Sequence, residues 1–339
     1  MLDVRLDGDR IHIGNHFSVS FMRTLRIPDD GKEYPLPPAL DTFPIHRVAD
    51  YAERVPPAWC ERDGFFIPLY QREALWLSFH GHDWHPVAAR VGVGNVDALI
   101  GERWHTRLSG KPQNYVVVPL QPWLDGINSG KETIRQFVAM PLGQGYTVEA
   151  QVTGEEVFGG LQLRVHDAKP GRFPEEDPNP QRWGMAMHAM ATDSANPALG
   201  LGAGGTMHQA IYPDPHGVRT WDADNFGEIF VHIVNSAHYQ QITGQLPPTS
   251  PVDAKTYTAH GYPWFDLYDE PLGDISPSDA LARVKSIRDL DWEKGLPAQS
   301  GDDSFDIPDS QIRKLDLDKT APVDDKPQHW WDRLLHRDD

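Results

Sequence analysis

The chain has 339 residues, with 31 lysines and arginines against 49 aspartates and glutamates, and a formal net charge of −18. A protein this acidic is not expected to bind the phosphate backbone of nucleic acids or an anionic membrane surface. Hydrophobic residues make up 39% of the chain, enough for a sizeable core, while 30 prolines and 29 glycines exclude a coiled coil or a long helical bundle.

The chain ends and the cysteine content bear on the cellular compartment. Acidic residues begin at Asp3 and no apolar stretch follows, so a secretory signal is not predicted. The longest apolar runs fall well short of the roughly 20 residues that a membrane-spanning helix needs. Cys60 is the single cysteine and cannot form an intrachain disulfide. We therefore expect a soluble, cytoplasmic protein.

Several segments in the N-terminal half are predicted to be strands. Asp7-Gly8-Asp9 is a hairpin turn signal between two short apolar-alternating segments. Residues 17–25, 65–69 and 74–79 are rich in apolar side chains, and 87–100 reads as two strands around a glycine bend. A short helix is predicted over 47–54, where Pro56 ends it.

The clearest alternation lies between residues 114 and 167. Strands are predicted over 115–119 and 133–140. In 146–153, Tyr146, Val148, Ala150 and Val152 would share one face of a third strand, and in 161–166 Leu161, Leu163 and Val165 alternate with polar residues. This pattern predicts an antiparallel sheet with one face in solvent.

The C-terminal half is predicted to contain two further strands, over 206–212 and 229–235. Residues 168–182 contain four prolines and no apolar cluster, which indicates a boundary or a long surface loop. A helix is predicted from Ser276, which can cap it, with Pro277 at the first helical position.

Together these elements predict an α+β fold dominated by antiparallel sheet, with long ordered loops and few short helices; a β-sandwich is one form that the sheets can take. The chain would divide into a β-rich domain over 1–167, a second β-rich lobe over 183–295 that is either separate or one domain with the first, and a flexible acidic tail over 296–339. Residues 301–326 are too polar for a packed core.

The tail ends in an apolar motif within residues 329–336. Trp331, Leu334 and Leu335 have the i, i+3, i+4 spacing of one helix face, and Trp330 would widen that face. A helix this short is not stable alone in water and needs a groove to dock in. The groove would belong to a protein partner or to the chain's own body.

Histidines provide the candidate metal site. His80, His82 and His85 place three imidazoles within six residues, and His46 is the candidate fourth ligand. The alternative is a surface turn after an apolar strand. We expect no cofactor, with zinc or a similar divalent ion as the alternative.

Other chemistry is weakly indicated. Glu73, Asp125 and Glu149 are candidate general bases, although the sequence shows no partner for any of them. The glycine-rich segment 200–205 matches a dinucleotide-binding pattern, but it lacks the preceding strand and the following helix, so we interpret it as a flexible loop.

Four segments carry a resemblance to a known family: Tyr70–Phe79, Gln121–Gly126, Arg135–Glu149 and Pro263–Glu270. They are similar to an uncharacterised bacterial protein family, some members of which carry the name "integral membrane protein" despite soluble sequences. The resemblance covers roughly residues 35–290 and implies no known activity, cofactor or catalytic residue.

Three functions follow from these patterns, in order of preference. The first is a non-enzymatic binding or assembly protein that acts through protein–protein contacts and the C-terminal docking peptide. The second is a metal-dependent hydrolase that uses the histidines at 80–85. The third is a carbohydrate or small-ligand binding module, since tryptophan and tyrosine on a β surface suit stacking. The sequence does not predict an oligomeric state.

Overall fold

A computed structural model describes residues 1–178, 198–267, 273–297, 299 and 301–315. The described residues form 19 strands: β1 (Val4–Asp7), β2 (Arg10–Ile13), β3 (Phe17–Thr24), β4 (Glu33–Tyr34), β5 (Ala39–Thr42), β6 (His46–Arg47), β7 (Phe65–Leu69), β8 (Ala74–Gly81), β9 (Val87–Val93), β10 (Val96–Asp97), β11 (Val116–Val118), β12 (Trp123–Leu124), β13 (Gly126–Gly130), β14 (Thr133–Pro141), β15 (Leu161–Ala168), β16 (Ala198–His208), β17 (Trp221–Asn235), β18 (Trp264–Leu267) and β19 (Ile312–Leu315).

The helices in the same residues are short. They are α1 (Pro57–Cys60), α2 (Val148–Thr153), α3 (Ser236–Thr243), α4 (Ala254–Ala259), α5 (Asp279–Ala282) and α6 (Ile287–Glu293), with 3-10 turns at Val48–Tyr51, Val218–Thr220 and Asp309–Gln311. None of these helices has the length and apolar character to cross a bilayer.

Seventeen strands are hydrogen-bonded into one sheet. Its longest run of neighbours is antiparallel and passes through β3, β8, β14, β16, β17, β15 and β9. Parallel pairing occurs between β4 and β16, between β7 and β17, and in the separate pair β18–β19. With 39% strand and 16% helix, the prediction of a β-dominated fold with few short helices is confirmed.

Strands from both sides of residues 168–182 pair with each other. β14 lies against β16 from Thr133↔His208 to Pro141↔Leu199, and β15 lies against β17 from Leu161↔Val231 onward. One continuous core cluster takes side chains from β2, β3, β7, β8, β9, β14, β15, β16 and β17. The interior between these strands therefore draws on residues from before and after the proline-rich segment.

The prediction that the polar face of β15 lies in solvent is wrong. Gln162, Arg164 and His166 are buried, as are Leu161 and Leu163 on the opposite face. β15 lies between β9 and β17 in the sheet, and other side chains cover its polar face, with Phe226 beside both Arg164 and His166. Arg164 lies over the ring of Phe226, at 3.5 Å from its centroid, and donates to Glu228 at 2.7 Å. Alternation alone does not distinguish a solvated face from a buried polar one.

The predicted strand over 146–153 is also wrong, because residues 148–153 form α2. The Thr147 side chain accepts a hydrogen bond from the Ala150 amide at 3.0 Å and caps the helix. Gly154 ends it in the left-handed conformation, with φ +77°. These two capping residues favour the helix more than the short alternation of apolar residues over 146–153 favours a strand. Val148 is buried, while Val152 is only half-buried.

The helix predicted from Ser276 begins later and is interrupted. Ser278 caps α5, and its side chain accepts from the Leu281 amide at 3.3 Å. Ser286 then caps α6 in a capping box with Asp289. Leu281, Val284 and Ile287 are buried as the spacing predicted, but a second cap divides the segment that carries them.

Residues 200–205 are not a flexible loop; they lie within β16. A Cβ atom at Gly205 would meet the backbone oxygen of Pro28 at 2.2 Å, and one at Gly204 would meet the Val138 side chain at 2.7 Å. The glycines permit neighbouring chain segments to approach this strand closely.

The beginning of the predicted flexible linker packs on the body of the protein. Asp302 is buried in an ion pair with Arg26. Phe305 and Ile307 pack against the core, and β19 pairs with β18. Scattered apolar residues and one buried aspartate therefore hold residues 301–315 against the body. The high aspartate content of this segment had led to the prediction that it is flexible.

Candidate functional site

In the part of the chain that the structure describes, six carboxyl side chains are almost completely buried: Glu73, Asp97, Asp125, Glu149, Asp291 and Asp302. Four of them form ion pairs with an arginine: Glu73 with Arg23, Asp97 with Arg90, Asp291 with Arg72, and Asp302 with Arg26. A buried charge is costly unless it is paired in this way, so these four are satisfied structurally.

Two of the three candidate general bases have structural partners. Glu73 pairs with Arg23 and accepts from the Tyr70 amide at 2.8 Å. Glu149 lies on α2 and accepts from the amides of Phe158 and Gly159 at 3.0–3.2 Å. Glu149 therefore satisfies the backbone of the turn after α2, and burial raises the pKa of its carboxyl.

Asp125 differs from the other five because, among the described residues, its carboxyl pairs neither with an arginine, as four of them do, nor with the turn amides that Glu149 binds. It lies between β12 and β13, and its Oδ2 accepts from Gln209 Nε2 at 2.9 Å. Gln209 Oε1 also accepts from the backbone amide of Asp125 at 3.0 Å. The one glutamine side chain therefore binds both the carboxyl and the backbone of Asp125. The Trp123 side chain donates a further hydrogen bond to the carboxyl.

Burial raises the pKa of the Asp125 carboxyl to about 7, although the hydrogen bonds from Trp123 and Gln209 act in the opposite direction. Both partners are uncharged, so they offset only part of the cost of removing a carboxylate from water. A carboxyl with a pKa near 7 is present in both protonation states at neutral pH, and such shifted pKa values are concentrated at functional sites.

Asp125 lines a small pocket of about 20 Å³. Its other walls are apolar or aromatic: Leu36, Pro37, Pro38, Ala39, Trp76, Trp123 and Phe265. Leu36 and Phe265 are joined by two backbone hydrogen bonds of 2.7 and 3.0 Å, which fix one wall. Asp125 is the only charged residue among these lining residues.

Three segments that are far apart in the sequence meet at this pocket. Tyr70–Phe79 contributes Trp76, Gln121–Gly126 contributes Trp123 and Asp125, and Pro263–Glu270 contributes Phe265. The pairing of β12 with β8, with Trp123 opposite Ser78, brings the first two segments together.

The histidines at 80–85 do not form one cluster, because each has different contacts. His85 is buried; its Nε2 lies 2.7 Å from Asp167 Oδ1, and its Nδ1 lies 2.5 Å from the Pro174 oxygen. His82 stacks on Trp84 with ring centroids 4.7 Å apart, and His80 Nε2 lies 3.4 Å from Ser78 Oγ. His46 contacts the Tyr239 hydroxyl at 2.6 Å.

The structure instead groups His85 with His16 and Glu175, whose ligand atoms lie within 4.8 Å of one another. His16 stacks on His85 with ring centroids 3.7 Å apart and an angle of 12° between the planes. Burial is the main cause that lowers the pKa of His16. Of the predicted ligands, only His85 belongs to this group.

Sequence reasoning missed the partners at both sites. Gln209 lies 84 residues from Asp125, and Glu175 lies in the segment interpreted as a boundary. His16 is far from the 80–85 cluster in sequence, and the Phe17↔Gly81 pairing of β3 with β8 places it nearby. Only strand pairing could have linked these residues, and the sequence did not indicate which strands pair.

No family model, curated protein or solved structure matches this chain.

The predicted docking residues Trp330, Trp331, Leu334 and Leu335 lie outside the described residues, so docking stays a prediction. Deleting residues 316–339 leaves Asp302 and β19 in place. If the motif docks on a partner, this deletion should change the melting temperature by less than about 2 °C, which corresponds to less than about 1 kcal/mol, because no contact with the body is lost. A calorimetric scan checks this, and a drop of several degrees would show that the tail docks on its own body instead.

Proposed function

We propose that this protein is a binding module whose pocket at Asp125 accepts a small alkylammonium group, from a free amine or from a lysine side chain of a partner protein. The observation that carries this proposal is a buried carboxyl without a cationic partner that lines an aromatic pocket. The proposal belongs to the binding class of functions and requires no catalytic step.

The other buried carboxyls support it. Four have an arginine, and Glu149 accepts backbone hydrogen bonds from the turn after α2. Asp125 has two neutral side-chain donors and a pocket beside it. A bound cation would supply the charge that the arginines supply elsewhere, and it would repay the cost of ionising a buried carboxyl.

The pocket walls suit the same ligand. The faces of tryptophan and phenylalanine attract cations, by about 0.5–2 kcal/mol per ring depending on desolvation. Trp76, Trp123 and Phe265 line the same pocket as the Asp125 carboxyl. A volume of about 20 Å³ exceeds the roughly 10–15 Å³ that one water needs, so it suits a compact head group and excludes a sugar ring. The net charge of −18 also attracts cations over longer distances.

Calorimetric titration with methylammonium chloride at pH 8 tests the proposal. We expect saturable binding of one equivalent, no binding of methanol as a neutral ligand of similar size, and at least tenfold weaker binding by Asp125→Asn. The matched control is Asp224→Asn, because Asp224 is exposed. Equal binding by wild type and Asp125→Asn would contradict the proposal.

A second titration distinguishes the source of the ammonium group. N-acetyl-lysine methylamide presents the same head group on a peptide-like body. Binding of this compound as tight as that of methylammonium indicates a lysine of a partner protein. Binding of methylammonium alone indicates a free amine.

A further inference from the structure

We propose that His16, His85 and Glu175 together bind one divalent transition-metal ion of the zinc type, at a site separate from the Asp125 pocket. Their ligand atoms lie within 4.8 Å of one another. Two imidazoles and a carboxylate form a donor set that zinc and its neighbours in the first transition series accept. Three protein ligands leave room for a further ligand from solvent.

The state of His16 supports this site. His16 is 8% exposed, and its Nδ1 is buried with no hydrogen-bond partner among the residues that the structure describes. Buried side-chain nitrogens nearly always have a partner, so an orphan of this kind calls for an explanation. A metal ion would use the lone pair of the imidazole.

The surroundings of His85 resemble those of a metal ligand. Asp167 Oδ1 lies 2.7 Å from Nε2, and a carboxylate in this position orients metal-binding imidazoles in many proteins. The opposite nitrogen, Nδ1, donates to the carbonyl oxygen of Pro174 at 2.5 Å, directly before Glu175, so a bound ion would replace that oxygen at Nδ1. One ring nitrogen is thus held by a carboxylate while the other points toward the segment that carries the third ligand.

Binding requires a small rearrangement. The two imidazole planes are nearly parallel, at 12°, so their lone pairs do not converge on a single point. One ring must tilt about its Cβ–Cγ bond, and the exposed Glu175 side chain must close over the ion. The Pro174 oxygen must also leave His85 Nδ1, so the backbone at residues 174–175 moves together with the Glu175 side chain.

The ion would join three distant parts of the chain. His16 precedes β3, His85 lies between β8 and β9, and Glu175 follows β15. A ligand that binds the folded state alone stabilises it in proportion to the logarithm of its concentration over Kd. Metal binding would therefore raise the melting temperature and hold residues 169–178 against the body.

Zinc chloride titration of the metal-free full chain, with calorimetry and a melting curve, tests this inference. We expect one tight equivalent and a rise in melting temperature that a chelator reverses. Glu175→Gln should weaken binding at least tenfold without affecting the fold, because Glu175 is exposed. His16→Ala should do the same, whereas His80→Ala, outside the group, should bind as wild type does.

Two results would contradict the assignment of this metal site. The chain has 16 histidines, so weak binding of several equivalents that Glu175→Gln leaves unchanged would show adventitious surface binding. Tight binding that His80→Ala abolishes and Glu175→Gln does not would place the ion at the 80–85 histidines instead. Either result would overturn the assignment, and neither would bear on the Asp125 pocket.

Discussion

Asp97→Ala is expected to lower the free energy of unfolding by about 3–5 kcal/mol, the cost of leaving one partner of a buried ion pair alone. Asp97 and Arg90 are both fully buried, with 2.5 Å between Oδ2 and Nη2. Asp97 also accepts from the amides of Leu99 and Ile100. Its removal leaves those amides without their acceptor and the buried Arg90 guanidinium without its counter-charge, although Arg90 still donates to the carbonyls of Asn114 and His105. Urea unfolding followed by circular dichroism measures the loss.

The matched control is an exposed ion pair of similar length. Arg103 and Glu155 are 3.1 Å apart and about half exposed, so Glu155→Ala should cost less than about 1 kcal/mol. A similar loss in both variants would show that burial does not determine the strength of the Asp97 pair.

The second large effect concerns the free energy of unfolding, which is expected to depend on pH through Asp125 and to lose this dependence in Asp125→Asn. The pKa of the Asp125 carboxyl is about 7 in the folded chain and 3.8 in its ordinary state. The folded state therefore holds a proton that the unfolded state has lost between these pH values, and stability falls as the pH rises through this window. At 1.36 kcal/mol per pH unit, wild type loses up to about 4 kcal/mol relative to Asp125→Asn between pH 4 and 8.

This effect is read as a difference between the two proteins, since other groups titrate in both. Asp224→Asn should follow wild type across the range, because that side chain is exposed. If the free energies of unfolding of wild type and Asp125→Asn differ by a constant amount from pH 4 to 8, this carboxyl ionises at its ordinary pKa. That result would remove the argument that it requires a bound cation. A residue that lowers stability at neutral pH is typical of a binding site.

The sequence predicted strands where long runs of apolar residues force one conformation. Residues 65–69, 74–79 and 133–140 are strands, and apart from the half-buried Thr133 and Arg135 their side chains are buried on both faces. The prediction failed for residues 146–153, where Thr147 and Gly154 cap a helix of six residues. Capping contributes about 1 kcal/mol, which is enough to decide the state of so short a segment.

The candidate sites were less predictable because they depend on which strands pair. Asp125 was one of three equal candidates in the sequence, and only its lack of an arginine distinguishes it from Glu73 in the structure. That difference arises from Gln209, which the pairing of β14 with β16 places beside β13. His85 was a predicted ligand, but His16 and Glu175 had no signal in the spacing.

The pH dependence of methylammonium affinity tests the central claim most directly. The ligand stays charged below about pH 10, as a lysine does, and the groups that contact the Asp125 carboxyl do not titrate. The dissociation constant should fall about tenfold per pH unit from pH 5 to 7 and level off above pH 8, as the carboxyl ionises. Affinity that is constant from pH 5 to 8, or equal in Asp125→Asn, would contradict a cation site at this carboxyl.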